Sequence, residues 1–201
     1  MSIEARLQNT RDALHTLLSQ YKKICVKNIK DIPVQINRMI FGINKLPLYL
    51  QNSETYTINE DDLKYITDIP SYFFSGCTSL HSITIPDGIT SIGSDAFANC
   101  TSLIDIIMPD SMIEINTYAF SGCSSLTSIT IPKNVTYIGG GVLNSCSGIT
   151  DIYLKPITPP SLIGMLRPLV TYHVPVGSGD AYKSATNWSQ YAGRIVEDPE
   201  L

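Results

Sequence analysis

Apolar and polar residues alternate in short bursts through the middle of the chain. In "SITIP", residues 82–86, Ile83 and Ile85 flank Thr84, so an extended segment has one apolar and one polar face. Proline then closes the segment, because it offers no donor to a strand ladder. The same burst returns as Ile106 with Met108, Ile129 with Ile131 and Ile152 with Leu154. A second apolar pair comes earlier in each unit: Ile66 and Ile69, Ile89 and Ile92, Met112 and Ile115, Val135 and Ile138. Between the two pairs stand "FSGCTSL", "FANCTSL" and "FSGCSSL", starting at Phe74, Phe97 and Phe120, a spacing of 23 residues. Phe or Leu lies three residues before each of Cys77, Cys100, Cys123 and Cys146, and Leu or Ile lies three after.

A unit this short cannot enclose a core by itself. Stacked units can, because each presents its apolar columns to the next. The pattern therefore predicts a β-rich solenoid of about four 23-residue units over 51–155, with short strands on its sides. "DAFANC" and "YAFSGC" suit a short helical turn that tucks the phenylalanine inward. "GGG" at 139–141 reads as a loosened version of that turn, since no lysine follows it as a phosphate loop would require. The four cysteines fall in one column, with neighbours about 5 Å apart, one strand spacing. They read as small buried hydrophobes. A row along a line does not surround a zinc ion, and parallel side chains in a packed core oppose the disulfide torsion, although the spacing alone permits a bridge.

"IGSDAFANCTSLIDIIMPDSM" and "INTYAFSGCSSLTSITIPKNV" resemble the BspA-like class of leucine-rich repeats, and the likeness covers about residues 63–155. It implies a right-handed solenoid with strands on its sides. The last unit departs from the pattern, with Leu143 for Phe and Gly148 for Ser, as a terminal unit would. The segment 7–39, "LQNTRDALHTLLSQYKKICVKNIKDIPVQINRM", is similar to a short module that precedes such repeats in bacteriophage tail and fibre proteins. "VTYHVPVGSGDAYKSATNWSQYAGRIVED" resembles the strand-turn-helix segment that closes many of these arrays.

The flanks follow other periods. Ile3, Leu7, Thr10, Leu14, Leu17, Tyr21 and Ile24 are spaced alternately by four and three, an a/d seam of about three heptads. Either the helix packs on its own chain or it joins copies of the protein; three heptads are marginal alone. Residues 1–50 are thus expected to be an α-helical attachment or oligomerisation module, with Ile3, Leu7, Leu14, Leu17, Tyr21 and Ile24 as the seam. Residues 156–201 are expected to be a strand-helix cap, in which Tyr182, Trp188, Tyr191 and Ile195 cover the open end of the core. "ITPPSLIGMLRP" before it reads as a proline-stiffened connector.

Composition narrows the function. The chain has 201 residues, 43% hydrophobic and 16% charged, with a net charge of -4 and no Lys/Arg block. A folded chain is expected, and nucleic acid is a poor partner for it. No apolar run is long enough to span a bilayer, and the start shows no signal peptide. The sequons at Asn99, Asn134 and Asn187 carry little weight without one. His15, His81 and His173 show no metal-ligand spacing, and Cys25 has no local base to activate it. No enzyme, cofactor or metal is expected.

What remains is surface. The outward strand positions form columns: Thr84, Ile107, Thr130 and Tyr153; Ser82, Asp105, Ser128 and Asp151; His81, Ile104, Thr127 and Thr150. Thr-rich flat faces can be a ligand platform, and they are equally what solvent-facing strands look like. Thr84, Ile107, Thr130, Tyr153, His81, Asp105 and Asp151 are the candidate contacts. The resemblances imply a non-enzymatic phage virion protein, in a tail, baseplate or fibre, that adheres to a host cell. Its partners would be other virion proteins, a host surface component and further copies of itself. The alternatives are a bacterial cell-surface adhesin and a purely structural decoration protein of the virion.

Overall fold

The computed structural model describes residues 56–58, 67–164, 166 and 169–201, all within one compact unit, Asn44–Leu201. The N-terminal module and its heptad seam lie outside the described residues. Among the described residues twelve strands succeed one another: β1 (Tyr56–Ile58), β2 (Asp68–Ile69), β3 (Leu80–Thr84), β4 (Ser91–Ile92), β5 (Asp105–Ile107), β6 (Glu114–Ile115), β7 (Ser128–Ile131), β8 (Tyr137–Ile138), β9 (Asp151–Leu154), β10 (Ser161–Leu162), β11 (Thr171–Pro175) and β12 (Ile195–Asp198). One α-helix, α1 (Gly179–Ser184), and a 3-10 helix (Ser189–Arg194) lie between β11 and β12. Among the described residues no helix is long and apolar enough to cross a membrane.

Among the described residues every strand pair is parallel, as stacking of like units demands. The two-residue strands from the second apolar pair form a five-stranded sheet in the order β10-β8-β6-β4-β2. The longer strands build the opposite, lateral side in two blocks, β1-β3-β5 and β12-β11-β9-β7. The solenoid thus exceeds the four turns expected from the strict repeat. β10 lies inside the stretch read as a connector and pairs with β8, with Ser161 opposite Tyr137, 24 residues back. β11 then sets Thr171 opposite Asp151, 20 residues back. The array therefore continues past residue 155 after its sequence period has lapsed.

The Phe–Cys segments are turns, where a helical turn was expected. Two residues in each carry positive φ: Tyr72 and Gly76, Asp95 and Asn99, Tyr118 and Gly122, Gly141 and Ser145. This conformation turns alternate peptides so that they bond along the stack. The N–H groups of Tyr72, Phe74 and Gly76 donate to the carbonyls of Ser94, Ala96 and Ala98, and those of Asp95, Phe97 and Asn99 to Thr117, Ala119 and Ser121. "GGG" therefore keeps the repeat's turn. A Cβ on Gly141 would stand 2.3 Å from the Tyr118 ring, and one on Gly139 would stand 2.4 Å from the Thr117 nitrogen. Only glycine lets the two turns approach that closely.

Inside, the columns stack. Phe74 and Phe97 lie 4.9 Å apart at 18°, and Phe97 and Phe120 lie 5.3 Å apart at 17°. All four repeat cysteines are buried and none forms a disulfide. Three of the thiols reach back one turn: Cys100 Sγ donates to the Phe74 carbonyl at 3.1 Å, Cys123 to Phe97 at 3.2 Å and Cys146 to Phe120 at 3.0 Å. The column is a small hydrophobe and, at the same time, the partner of a carbonyl that the turn leaves inside. Hydrogen bonding with Cys123 and Cys77, followed by burial, pushes the Cys100 thiol far up.

The C-terminal segment folds against the end of the array. Tyr182, Trp188, Tyr191 and Ile195 are buried, and their polar tips hold the preceding stretch. Tyr182 Oη donates to the Pro156 carbonyl and Trp188 Nε1 to that of Pro160, while Tyr191 Oη accepts from Leu166 N–H, each at 2.8 Å. These bonds satisfy the buried tips and tie the end of the array to its cap.

Two outcomes test this packing. Phe97→Ala removes the middle ring of the stack and should cost roughly 3–5 kcal/mol in denaturant unfolding. In a Cys25→Ser background, the four repeat thiols should resist alkylation in the native protein and react within minutes after denaturation, as buried, strongly protonated thiols do.

Candidate interaction surface

The lateral strands carry Thr84, Ile107, Thr130, Tyr153, His81, Asp105 and Asp151. Thr84 lies opposite Ile107, and Ser82 opposite Asp105. Thr130 lies opposite Tyr153, and Ser128 opposite Asp151. His81 stands at the exposed start of β3, where its Nδ1 lies 2.8 Å from the Ser79 carbonyl oxygen. Parallel register brings like positions together wherever paired strands keep the spacing of the repeat. The expected oligomerisation residues, Ile3, Leu7, Leu14, Leu17, Tyr21 and Ile24, lie outside the described residues.

The column is broken in the middle. No ladder pairs β5 with β7 among the described residues, so Ile107 and Thr130 do not meet as their neighbours do. A pocket of about 240 Å³ opens there, lined by Asp105, Ile107, Met108, Asp110, Thr130 and Lys155. Met108 is half-buried where Ile85, Ile131 and Leu154 are fully buried in the equivalent place. Side-chain bridges flank the opening: Ser125 Oγ donates to the Thr101 carbonyl at 2.7 Å, and Asn134 Nδ2 to the Asp110 carbonyl at 2.8 Å. Lys133 pairs with Asp110 at 2.7 Å, both well exposed, so that pair adds little stability. Beside the break, Ile104 is 54% and Ile107 55% exposed, two large apolar side chains on an otherwise Thr- and Ser-lined face.

At its far end the column runs on into residues the repeat does not predict. His173 lies opposite Tyr153, and Val196 opposite His173. The Tyr153 and His173 rings stack with centroids 4.4 Å apart. His173 Nε2 lies 2.9 Å from Asp151 Oδ1, and its Nδ1 lies 3.3 Å from Asp198 Oδ2. The only local signal was "TYHV", which alternates as "DIYL" does, but the change of spacing hides the alignment. The two ring nitrogens point to different carboxylates, so the three residues do not converge on one point. Among the described residues no His, Cys, Asp and Glu gather in a group that could hold a metal ion.

Hydrogen bonds from His173 and then from the Thr150 hydroxyl hold the Asp151 carboxyl below the usual carboxylate range. A carboxyl lowered on folding stabilises the protein above its ordinary value, near 3.9, and that contribution disappears as pH falls through the folded value. Asp151 is 34% exposed, so solvent screening keeps the effect below about 1 kcal/mol. Unfolding free energies of the wild type and Asp151→Asn should therefore differ at pH 5 and converge towards pH 2.

The BspA type leucine rich repeat region matches residues 49–158 in six copies, two more than the strict period shows. No curated protein matches the chain. Among solved structures, a Treponema pallidum leucine-rich repeat protein, TpLRR, is 25% identical with a TM-score of 0.55, over 74% of this chain and 70% of its own. The pneumococcal vaccine antigen PcpA is 20% identical with a TM-score of 0.55, over 77% of this chain and 44% of its own. A leucine-rich cell surface protein of Faecalibacterium prausnitzii is 25% identical with a TM-score of 0.47, over 72% of this chain and 31% of its own. With more than half of its length in that repeat, and a solenoid that stacks as the repeat requires, the chain belongs to the BspA-type leucine-rich repeat family.

Proposed function

We propose that the chain is a non-catalytic binding protein displayed at a bacterial cell surface, and that it engages a macromolecular partner through the lateral sheet. One observation carries this reading: among the described residues, the break between β5 and β7 lies beside an exposed apolar pair, Ile104 and Ile107, and a lined pocket. Isolated exposed apolar residues need no explanation, but two beside an opening, with carboxylates and an ammonium group around them, make an amphipathic contact point. Thr84, Thr130 and Tyr153 extend the platform along the axis, and Asp105 and Asp151 give it negative charge. The surface location belongs to the same proposal; the fold shared with PcpA, a vaccine antigen by name, suits it. The virion location and self-association both rest on residues before 50, outside the described residues. Within the proposal the heptad seam is where copies of the chain would join.

The test uses the full chain, fluorescently labelled, on intact bacterial and epithelial cells, alongside antibody staining of unpermeabilised producing cells. Saturable binding should weaken at least tenfold in Ile107→Asp, as truncation of an interface anchor does. Thermal stability should stay within about 0.5 kcal/mol, because the side chain is exposed. Binding that never saturates, or that ignores the substitution, overturns the platform; staining that appears only after permeabilisation overturns the location.

A further inference from the structure

The cluster of Asp151, His173 and Asp198 joins three strands, β9, β11 and β12, and the binding reading makes no use of it. His173 is only 19% exposed, with one ring face against Tyr153 and both nitrogens turned to carboxylates. The remaining oxygens are held as well. The Thr150 hydroxyl donates to Asp151 Oδ2 at 2.8 Å, and the Glu200 N–H donates to Asp198 Oδ1 at 3.0 Å. The result is a chain of contacts running from β9 through β11 to the C-terminal tail.

Carboxylates only accept hydrogen bonds. The Nε2 contact is a hydrogen bond, and the longer Nδ1 contact becomes an ion pair only when both nitrogens carry protons. A neutral ring keeps one of them and turns a lone pair on the other carboxylate. Among the described residues no Lys or Arg pairs with Asp151 or Asp198. β12 offers Val196 opposite the ring, and its Glu197 is turned away to the Gly179 N–H at 2.9 Å. On β11 itself the neighbouring Tyr172 and Val174 are buried in the core. His81, by contrast, is exposed and touches only a backbone carbonyl, so it offers no such coupling.

We propose that His173 is a proton-operated latch for the terminal strand: the doubly protonated ring ties Asp151 to Asp198 and holds β12 on the end of the sheet, and loss of one ring proton to solvent loosens it. The longer contact, to Asp198, is the one that gives. β12 closes the solenoid and carries Val196, the last outward residue of the column, so the latch sets how firmly the end of the display face is closed. The inference stands on the cluster's geometry and holds whether or not the face binds a partner.

The sign is fixed by which form bridges. Stability contributed by the charged ring is present at acid pH and is lost at alkaline pH. The test compares the full chain with His173→Gln and Asp198→Asn at pH 5.5 and pH 8.5, by thermal unfolding and by amide hydrogen exchange at Ile195–Asp198. At pH 5.5 the wild type should melt about 2–4 °C above His173→Gln, a shift ordinary for one such contact in a protein of this size. The gap should close at pH 8.5. Exchange in β12, corrected for its intrinsic pH dependence, should accelerate between the two conditions in the wild type and change much less in either variant. A melting gap that is the same at both pH values, or β12 exchange that rises equally in all three proteins, overturns the latch. If His173→Gln does not fold, Asp198→Asn alone decides through the same two readings, since it leaves the ring in place and removes the charge that the ring bridges to.

Discussion

Each turn of this protein is held by the next. The thiol of one unit donates to a phenylalanine carbonyl one turn back, the phenylalanine rings lie face to face, and the turn amides donate forward along the same axis. No unit contains both halves of any of these contacts. A single unit would leave its apolar columns wet and its inward carbonyl unpaired, which is why the array exists only as an array. The same constraint makes an end cap obligatory. The last turn presents an open apolar column, and the aromatic cluster of Tyr172, Tyr182, Trp188 and Tyr191 covers it, with buried polar tips tied to the preceding segment.

Parallel stacking has a second consequence outside the core. Side chains that face solvent are repeated at one strand spacing, so any residue placed there becomes part of a column. On the lateral sheet that column reads Thr84, Ile107, Thr130, Tyr153, His173 and Val196, and it changes character along its length. The middle is open and apolar at the gap between β5 and β7. The end is polar, closed by a histidine between two carboxylates. Architecture supplies the flat face, and departures from the repeat supply whatever specificity it has.

The columns were legible in the sequence because every one recurs at a fixed spacing, and a recurring apolar residue in a unit too short to fold alone has only a stacked neighbour to pack against. Legibility ended where the spacing changed. Ser161 and Thr171 sit opposite Tyr137 and Asp151 at intervals that differ from the repeat, so β10 and β11 read as connector and cap although they are further rungs. The turn segments looked helical because their Phe–Cys spacing fits a helix; the positive φ of residues such as Asp95 and Tyr118 is a backbone property that neither side chain announces. At the surface, Thr84, Ile107, Thr130 and Tyr153 followed from alternation alone. The ladder break beside Ile107 and the pairing of His173 with Asp151 and Asp198 did not, because each depends on contacts between chain segments that share no pattern. The heptad residues from Ile3 to Ile24 lie outside the described residues.

The central claim is that the three phenylalanines lie in order along one axis. Inter-ring nuclear Overhauser effects in protein with labelled phenylalanine measure this directly. Cross-peaks should connect Phe74 with Phe97 and Phe97 with Phe120, whose centroids lie 4.9 Å and 5.3 Å apart, and none should connect Phe74 with Phe120. Rings without mutual cross-peaks, each in contact with unrelated residues, would contradict the stacked array and the outward columns built on it.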